Sequence, residues 1–305
     1  MPGKCEVNKA GRVAEKCAAG QVVAMPLRLD RAFLRVSGPD AIAFLDNLLT
    51  QDVTKLNDAS VLYSALLTPQ GKVVADMFLW AENDKPAPSV LIECDPSRSA
   101  ELLRRLNLYR LRAKVSIEDV TAGMSAFYSA EPFAADTADP RLPGTTLGFR
   151  EFGTIDAPLT GEGDAVIEHN RLALGVPDLA RDAAPEEVFA GEALLEELNG
   201  VAFDKGCFVG QENVSRMKRR ATTRKKFCPI VFEGEAIAYG SPVLAVEAEI
   251  GSVRTGAAGR AMALVRLDRA LDAASEGKPL TAAGRSVRLD PPSWLILPPR
   301  AGEPD

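Results

Sequence analysis

Three observations predict an α+β protein of more than one domain, closed by a small all-β unit. The chain has 305 residues, about twice a typical domain. Its first third runs strand, helix, hairpin, strand, helix, strand, the order of a largely antiparallel sheet dressed with helices. From Cys228 onward, short alternating segments between Gly and Pro turns replace the helical periodicity, as in a small β-barrel or sandwich.

The elements follow in chain order. LRLDRAFLRV (27–36) alternates polar and apolar residues and predicts one strand, ended by the turn Ser37-Gly38-Pro39-Asp40. Asp40 is then placed to cap an apolar-periodic helix over 41–49. VLYSALLT and KVVADMFLW flank Pro69-Gln70-Gly71 and predict a hairpin. VLIEC (90–94) reads as a buried strand, AELLRRLNLYRL (100–111) as a helix and AKVSIEDV (113–120) as a strand. A second α+β region begins near Gly123, passes a Pro- and Asp-rich loop (131–144), and contains AGEALLEEL (190–198), whose leucine spacing predicts a helix ended by Asn199-Gly200. The expected division is a loose extension over 1–24, α+β domains over 25–122 and 123–227, and a β-barrel with a proline-rich tail over 228–305.

Composition narrows the function. Apolar residues make up 46% and charged residues 26%, an ordinary globular balance, and the net charge of −6 argues against bulk nucleic-acid binding. Five cysteines, at 5, 17, 94, 207 and 228, form no CxxC pair, so neither a disulfide framework nor a zinc ribbon is expected. His169 is the single histidine, which excludes a multi-histidine metal site and leaves any Ser-His-Asp triad to be built around it. No apolar run has the length of a membrane span, and the leader has basic residues without an apolar h-region. The expectation is a soluble cytoplasmic chain.

The segment KGCFVGQE (205–212) stands out. A thiol becomes a nucleophile or ligand when a nearby cation or a helix N-terminus favours its thiolate, and Lys205 sits two residues from Cys207. Gly206 permits close backbone approach, Gly210 supplies a bend, and Glu212 would lie in the first turn of a following helix, where a carboxylate complements the dipole. A half-buried cysteine in a turn is the plainer alternative. Six of the nine residues over 218–226 are Lys or Arg, with Arg216 just before them. They form either an anion site or a solvated face paired with the acidic run PEEVFAGEALLEE. Asp76, among apolar neighbours in its strand, is either a general base or ligand acceptor, or a residue on the wet face of the hairpin. Asn47 and Arg171 are ordinary polar positions on physical grounds.

The stretch LNGVAFDKGCFVGQENVSRMKRR resembles the signature of YgfZ-type folate-binding proteins, bacterial relatives of a mitochondrial iron–sulfur assembly factor. Their word K-G-C-[FY]-x-G-Q-E is matched at every fixed position from Lys205 to Glu212. FLDNLLTQDV, TPQGKVVADMFLW, YRLRAKV and RLALGVPD match further pieces in order, so the resemblance covers about residues 25–295. It implies a three-domain cloverleaf similar to the T protein of the glycine cleavage system, with two mixed α/β sheet domains and a C-terminal β-barrel. It also implies tetrahydrofolate in a central cavity, and support for iron–sulfur clusters in client enzymes, tRNA-modifying radical enzymes included.

Under this resemblance Cys207 is the functional thiol and Lys205 keeps its surroundings electropositive. Asp76, Asn47, Arg171, Gly206, Gly210, Gln211, Glu212 and Arg216 are the folate-binding candidates. Partners would be folate and iron–sulfur clients or assembly proteins, in the cytoplasm, or in the mitochondrial matrix of a eukaryote, and the basic run becomes a seat for folate polyglutamate. A folate-dependent aminomethyltransferase is the first alternative. Against it, the chain shows Ala75-Asp76 where T proteins carry paired aspartates, and Ala173 where they carry a glutamate. A non-catalytic interaction scaffold is the second alternative. Cys207 and Cys228 are the thiol candidates for a cluster, and two ligands do not complete one within a chain.

Overall fold

The computed structural model describes residues 26–82, 85–132, 137–153, 162–219 and 223–298. The leader over 1–24, with Cys5 and Cys17, lies outside them, as does Arg220 of the basic run.

The first sheet is antiparallel and holds five strands, β2 (Ala32–Ser37), β3 (Val61–Leu67), β4 (Val73–Ala81), β5 (Ser89–Cys94) and β6 (Ser116–Asp119), in the order β3-β4-β5-β2-β6. Strict alternation sorts its side chains onto two faces. Leu34, Val36, Leu66, Met77, Leu79 and Ile92 pack beneath α1 (Ala41–Asp46) and α2 (Pro96–Arg110). Phe33, Tyr63, Phe78, Trp80 and Leu91 point the other way, into a second core shared with the rest of the molecule. Tyr63, Phe33 and Trp80 are at most 1% exposed, and each such side chain contributes about 1.5–3 kcal/mol of burial.

Residues 27–36 form two strands rather than the single one expected. β1 (Leu27–Leu29) leaves the first sheet and pairs with β7 (Ser125–Ser129), which in turn pairs with β8 (Phe149–Gly153). The break falls at the charged pair Asp30-Arg31: the Asp30 amide donates to Asp164, while the Arg31 side chain turns back to Glu93. The expected helix over 41–49 is α-helical only to Asp46. The helix expected over 190–198 is a series of turns, with Leu194 at φ +60°. Its apolar residues Ala190, Ala193, Leu194, Leu195 and Leu198 are all buried, so core packing overrode helical propensity.

Helices α3 (Glu162–Leu174), α4 (Leu179–Asp182) and α5 (Gln211–Arg219) complete the middle of the chain. The last third closes into a barrel of β9 (Lys225–Phe232), β10 (Pro242–Ala245), β11 (Ala248–Ala257), β12 (Arg260–Arg266), β13 (Leu280–Ala282) and β14 (Arg285–Leu289), with α6 (Leu267–Ser275) packed on it. The proline-rich tail packs back: Leu295 is buried, and the Trp294 indole donates to the Leu174 carbonyl at 3.1 Å.

Candidate functional site

Where the two sheets and α3 and α4 converge there is a cavity of about 410 Å³, the size class of small-molecule sites. Strand alternation brings Asp76 and Phe78 of β4 to its floor, beside Arg141, Arg150 of β8 and Arg171 of α3. Asp30, Asp95, Asp164, Glu168, Asp178 and Arg181 stand closer to solvent.

A buried charge lattice supports the floor. Glu93, fully buried, is engaged by Arg31 at 2.9 Å, by Arg150, and by the Trp80 indole at 3.1 Å. Burial pushes its carboxyl up, but Arg150 and Arg31 outweigh burial and hold it below its ordinary range. Asp139, also buried, accepts from Nε and Nη2 of Arg141 at 3.0 and 2.8 Å, and lies 3.7 Å from Arg150. Burial again raises the carboxyl, and Arg141 and Arg150 bring it below its ordinary value. Phe78 is the hub, with the Arg150 guanidinium 4.0 Å and that of Arg141 5.1 Å from its ring centroid.

Asp76 behaves differently. No arginine bonds it among the described residues; it accepts from the Tyr63 hydroxyl at 2.9 Å. Burial and then Asp178 push its carboxyl above the ordinary range, against the pull of Arg31 and the Tyr63 hydrogen bond. It is half-buried beside the cavity, with Oδ2 taken by Tyr63. Such a group can accept two N–H donors from a ligand or carry a proton.

Arg171 lines the same cavity, but all five of its N–H donors are used. Nε and Nη2 donate to Glu168, each at 2.7 Å, Nη1 donates to the Val176 carbonyl and Asp182, and Nη2 also donates to Thr255 at 2.5 Å. It pins α3 to α4 and to barrel strand β11 and has no donor left for folate. These bonds give Arg171, expected as a folate-binding residue, the geometry of a positioning one.

The thiol segment forms a separate surface. The Lys205 ammonium reaches the carbonyls of Leu49 at 3.0 Å and Gln51 at 2.9 Å, that of Asp46, and the Asp46 carboxylate at 2.9 Å. It therefore caps the C-terminal end of α1, where carbonyls lack helical partners. Burial, ahead of its bond to Asp46, holds its pKa below the ordinary value. Lys205 is the residue expected to keep the surroundings of the thiol electropositive; its hydrogen bonds and ion pair lie on residues 46–51. Gly210 has φ +84°, and a Cβ there would meet the Thr68 carbonyl at 2.6 Å, so this glycine seats the segment on the β3–β4 turn. Asn213 secures the contact by donating to the Gln70 carbonyl.

Cys207 and Gly206 are left exposed. Gln211 opens α5 and donates to the Gly206 carbonyl at 3.3 Å; Glu212 is exposed in the first turn; Arg216 is exposed and bonds Asn213 at 2.6 Å. Asn47 is exposed at the end of α1, bonded to the Ala43 carbonyl at 2.8 Å. Of the folate-binding candidates, the cavity gathers Asp76 and Arg171 alone; Asn47, Gly206, Gly210, Gln211, Glu212 and Arg216 do not line it.

Among the described residues the other two thiols do not assist Cys207. Cys94 and Cys228 are buried, and burial pushes both up to about 12. Two residues of the basic run take its plainer form: Lys218 pairs with Glu196 at 2.8 Å and Lys226 with Glu197 at 2.6 Å, both from the acidic run. Among the described residues no group of three or more His, Cys, Asp or Glu is arranged to hold a metal ion, and no helix is long and apolar enough to cross a membrane.

Sequence reasoning missed Glu93, Asp139, Arg141 and Arg150. Glu93 carried a signal, a lone charge inside VLIEC. Asp139 and Arg141 sat in a Pro- and Asp-rich stretch that reads as loop.

Residues 31–148 match the GCVT N-terminal domain model, and residues 224–296 match the CAF17 C-terminal beta-barrel domain model. The aminomethyltransferase T of the glycine cleavage system from Bartonella henselae superposes with a TM-score of 0.69, covering 88% of this chain and 86% of that one; at 16% identity the likeness is one of fold. The mitochondrial iron–sulfur cluster assembly factor IBA57 of Mus musculus is 32% identical over 274 residues, 78% of this chain and 76% of the relative. The human protein of the same name is 31% identical over 271 residues, with the same coverage. A Neurospora crassa homologue is 31% identical over 241 residues, and the chain spans 53% of that longer relative. The expected cloverleaf with two sheet domains and a C-terminal barrel is thus borne out, and the matched relatives are of the IBA57 type rather than the YgfZ type the signature suggested. The chain belongs to the family of IBA57-type iron–sulfur cluster assembly factors.

Proposed function

We propose that this protein binds tetrahydrofolate in the Asp76 cavity and supports assembly or maintenance of iron–sulfur clusters in client enzymes, with Cys207 as its working thiol. The observation that carries the reading is the spatial division of the molecule. A half-buried carboxylate without an arginine partner faces a ligand-sized cavity, and an accessible thiol stands apart on a loop braced by Lys205 and Gly210.

The residues present fit the ligand. A reduced pterin offers adjacent N–H donors along one edge, and Asp76 is an acceptor of the right kind, oriented by Tyr63. Arg141 commits two of its five N–H groups to Asp139 and lines the cavity with Phe78. When bound, tetrahydrofolate supplies a reduced pterin able to carry a one-carbon unit. The chain's own residues orient that ring and keep its floor dry. Cys207 would receive or hold the cluster, the cargo of the reaction, together with thiols from a partner assembly protein or client, since its own chain offers no accessible second thiol among the described residues. The site of action is the compartment where clients are loaded, the cytoplasm of a bacterium or the mitochondrial matrix of a eukaryote; the relatives named above are mitochondrial. Radical enzymes that modify tRNA are the proposed clients.

The test is complementation in cells lacking the protein, read as activity of iron–sulfur enzymes. Wild type should restore it, and Cys207→Ala, produced at equal level, should not. Full restoration by Cys207→Ala would remove the thiol from the function and promote the scaffold reading.

A further inference from the structure

The cavity has two levels with opposite charge logic. On the floor, guanidiniums and carboxylates are matched: Arg31 and Arg150 on Glu93, Arg141 on Asp139, Arg171 on Glu168 and Asp182. Towards solvent, Asp30, Asp95, Asp164 and Asp178 stand around one exposed guanidinium, Arg181, which bridges Glu168 at 2.7 Å and Asp178 at 3.8 Å. Asp95 and Asp178 are further committed as caps of α2 and α4, so neither can turn away without uncapping a helix. Six carboxylates, Asp30, Asp76, Asp95, Asp164, Glu168 and Asp178, line the cavity against five guanidiniums, and four of those five, Arg31, Arg141, Arg150 and Arg171, are already paired with Glu93, Asp139, Glu168 and Asp182. None of the described basic residues over 218–226 lines this cavity.

A pterin edge seated on Asp76 leaves the glutamyl tail to exit past this rim. Each added glutamate brings one more carboxylate into a negative field, and such repulsion between partly exposed charges is modest, long-ranged and screened by salt. We propose that the rim acts as a charge filter, selecting folate with a short, monoglutamyl tail and disfavouring polyglutamyl forms. Asp30 and Asp164 are its accessible elements: both are exposed, and neither pairs with a cation among the described residues. The inference rests on the folate reading and reverses the sequence-based expectation that the basic run seats a polyglutamate.

The experiment is calorimetric titration of the full chain with monoglutamyl and pentaglutamyl tetrahydrofolate at about 0.01 M and about 1 M salt, where the screening length falls from about 30 Å to about 3 Å. At low salt the pentaglutamyl form should bind roughly fivefold more weakly, the scale of one or two exposed charge contacts. High salt should close that gap, as should the double variant Asp30→Asn/Asp164→Asn. Equal or tighter binding of the pentaglutamyl form at low salt overturns the filter and leaves the folate reading standing. A gap unchanged by salt and by the variant also overturns it, since it would then be steric. Failure of both forms to bind removes the filter and the folate reading together.

Discussion

The thiol loop and the central cavity spend their charges in opposite ways. On the loop, the one buried cation, Lys205, is used entirely for architecture, and the chemistry-bearing group, Cys207, is left free at the surface. On the cavity floor, arginines and carboxylates neutralise each other, and among the described residues Asp76 is the floor carboxylate that stays out of that matching. In both places the residue with the most partners holds the shape and the residue with the fewest is the functional candidate. Hydrogen-bond saturation therefore separates scaffold from site more reliably here than charge or proximity in sequence.

The comparison breaks most visibly if the lattice is disturbed. Glu93→Gln removes a charge and leaves Arg31 and Arg150 short of their counter-ion in a dry interior, a loss of about 3–5 kcal/mol. Chemical denaturation followed by Trp80 fluorescence reads it directly, because the indole donates to Glu93. The same site fixes the acid limb of stability. The Glu93 and Asp139 carboxyls sit below their ordinary values of 4.5 and 3.8, so they stabilise the fold fully above those values and lose that contribution as pH falls through their folded values. The wild type should therefore weaken below about pH 4.5, and Glu93→Gln should show a flatter acid limb.

A smaller contrast lies within the loop. Lys205→Met strands the carbonyls of Asp46, Leu49 and Gln51 and should cost about 2–3 kcal/mol. Cys207→Ala, two residues away and exposed, should stay within about 0.5 kcal/mol of wild type. Equal losses from both would make the thiol part of the scaffold and erase the distinction.

The sequence made the antiparallel first sheet, the terminal barrel and the thiol word legible, because periodicity and turn residues are local. What it hid is non-local. The split of residues 27–36 between two sheets depends on where Asp164 and Glu93 lie after folding, and the turns over 190–198 depend on the core that swallowed their leucines. Lys205 looked like a partner of Cys207 because they are neighbours in the chain, but its oxygen partners come from residues 46–51, far earlier in the chain. Asp76 was visible as a charge in an apolar strand. Arg171 was visible through the family resemblance, and its five engaged donors could be counted only in three dimensions.

In the proposed function, ligand binding and thiol chemistry reside in separate places, with Asp76 serving the ligand at a cost to the fold. The direct test is calorimetric titration with monoglutamyl tetrahydrofolate of wild type, Asp76→Asn and Cys207→Ala, alongside thermal unfolding at neutral pH. A carboxyl whose pKa is raised by folding favours its protonated form, so its ionised form lowers stability as pH rises through the folded value. Asp76→Asn should thus unfold at an equal or higher temperature than wild type while binding at least about tenfold more weakly, and Cys207→Ala should bind as wild type does. Undiminished binding by Asp76→Asn, or loss of binding in Cys207→Ala, would contradict the account.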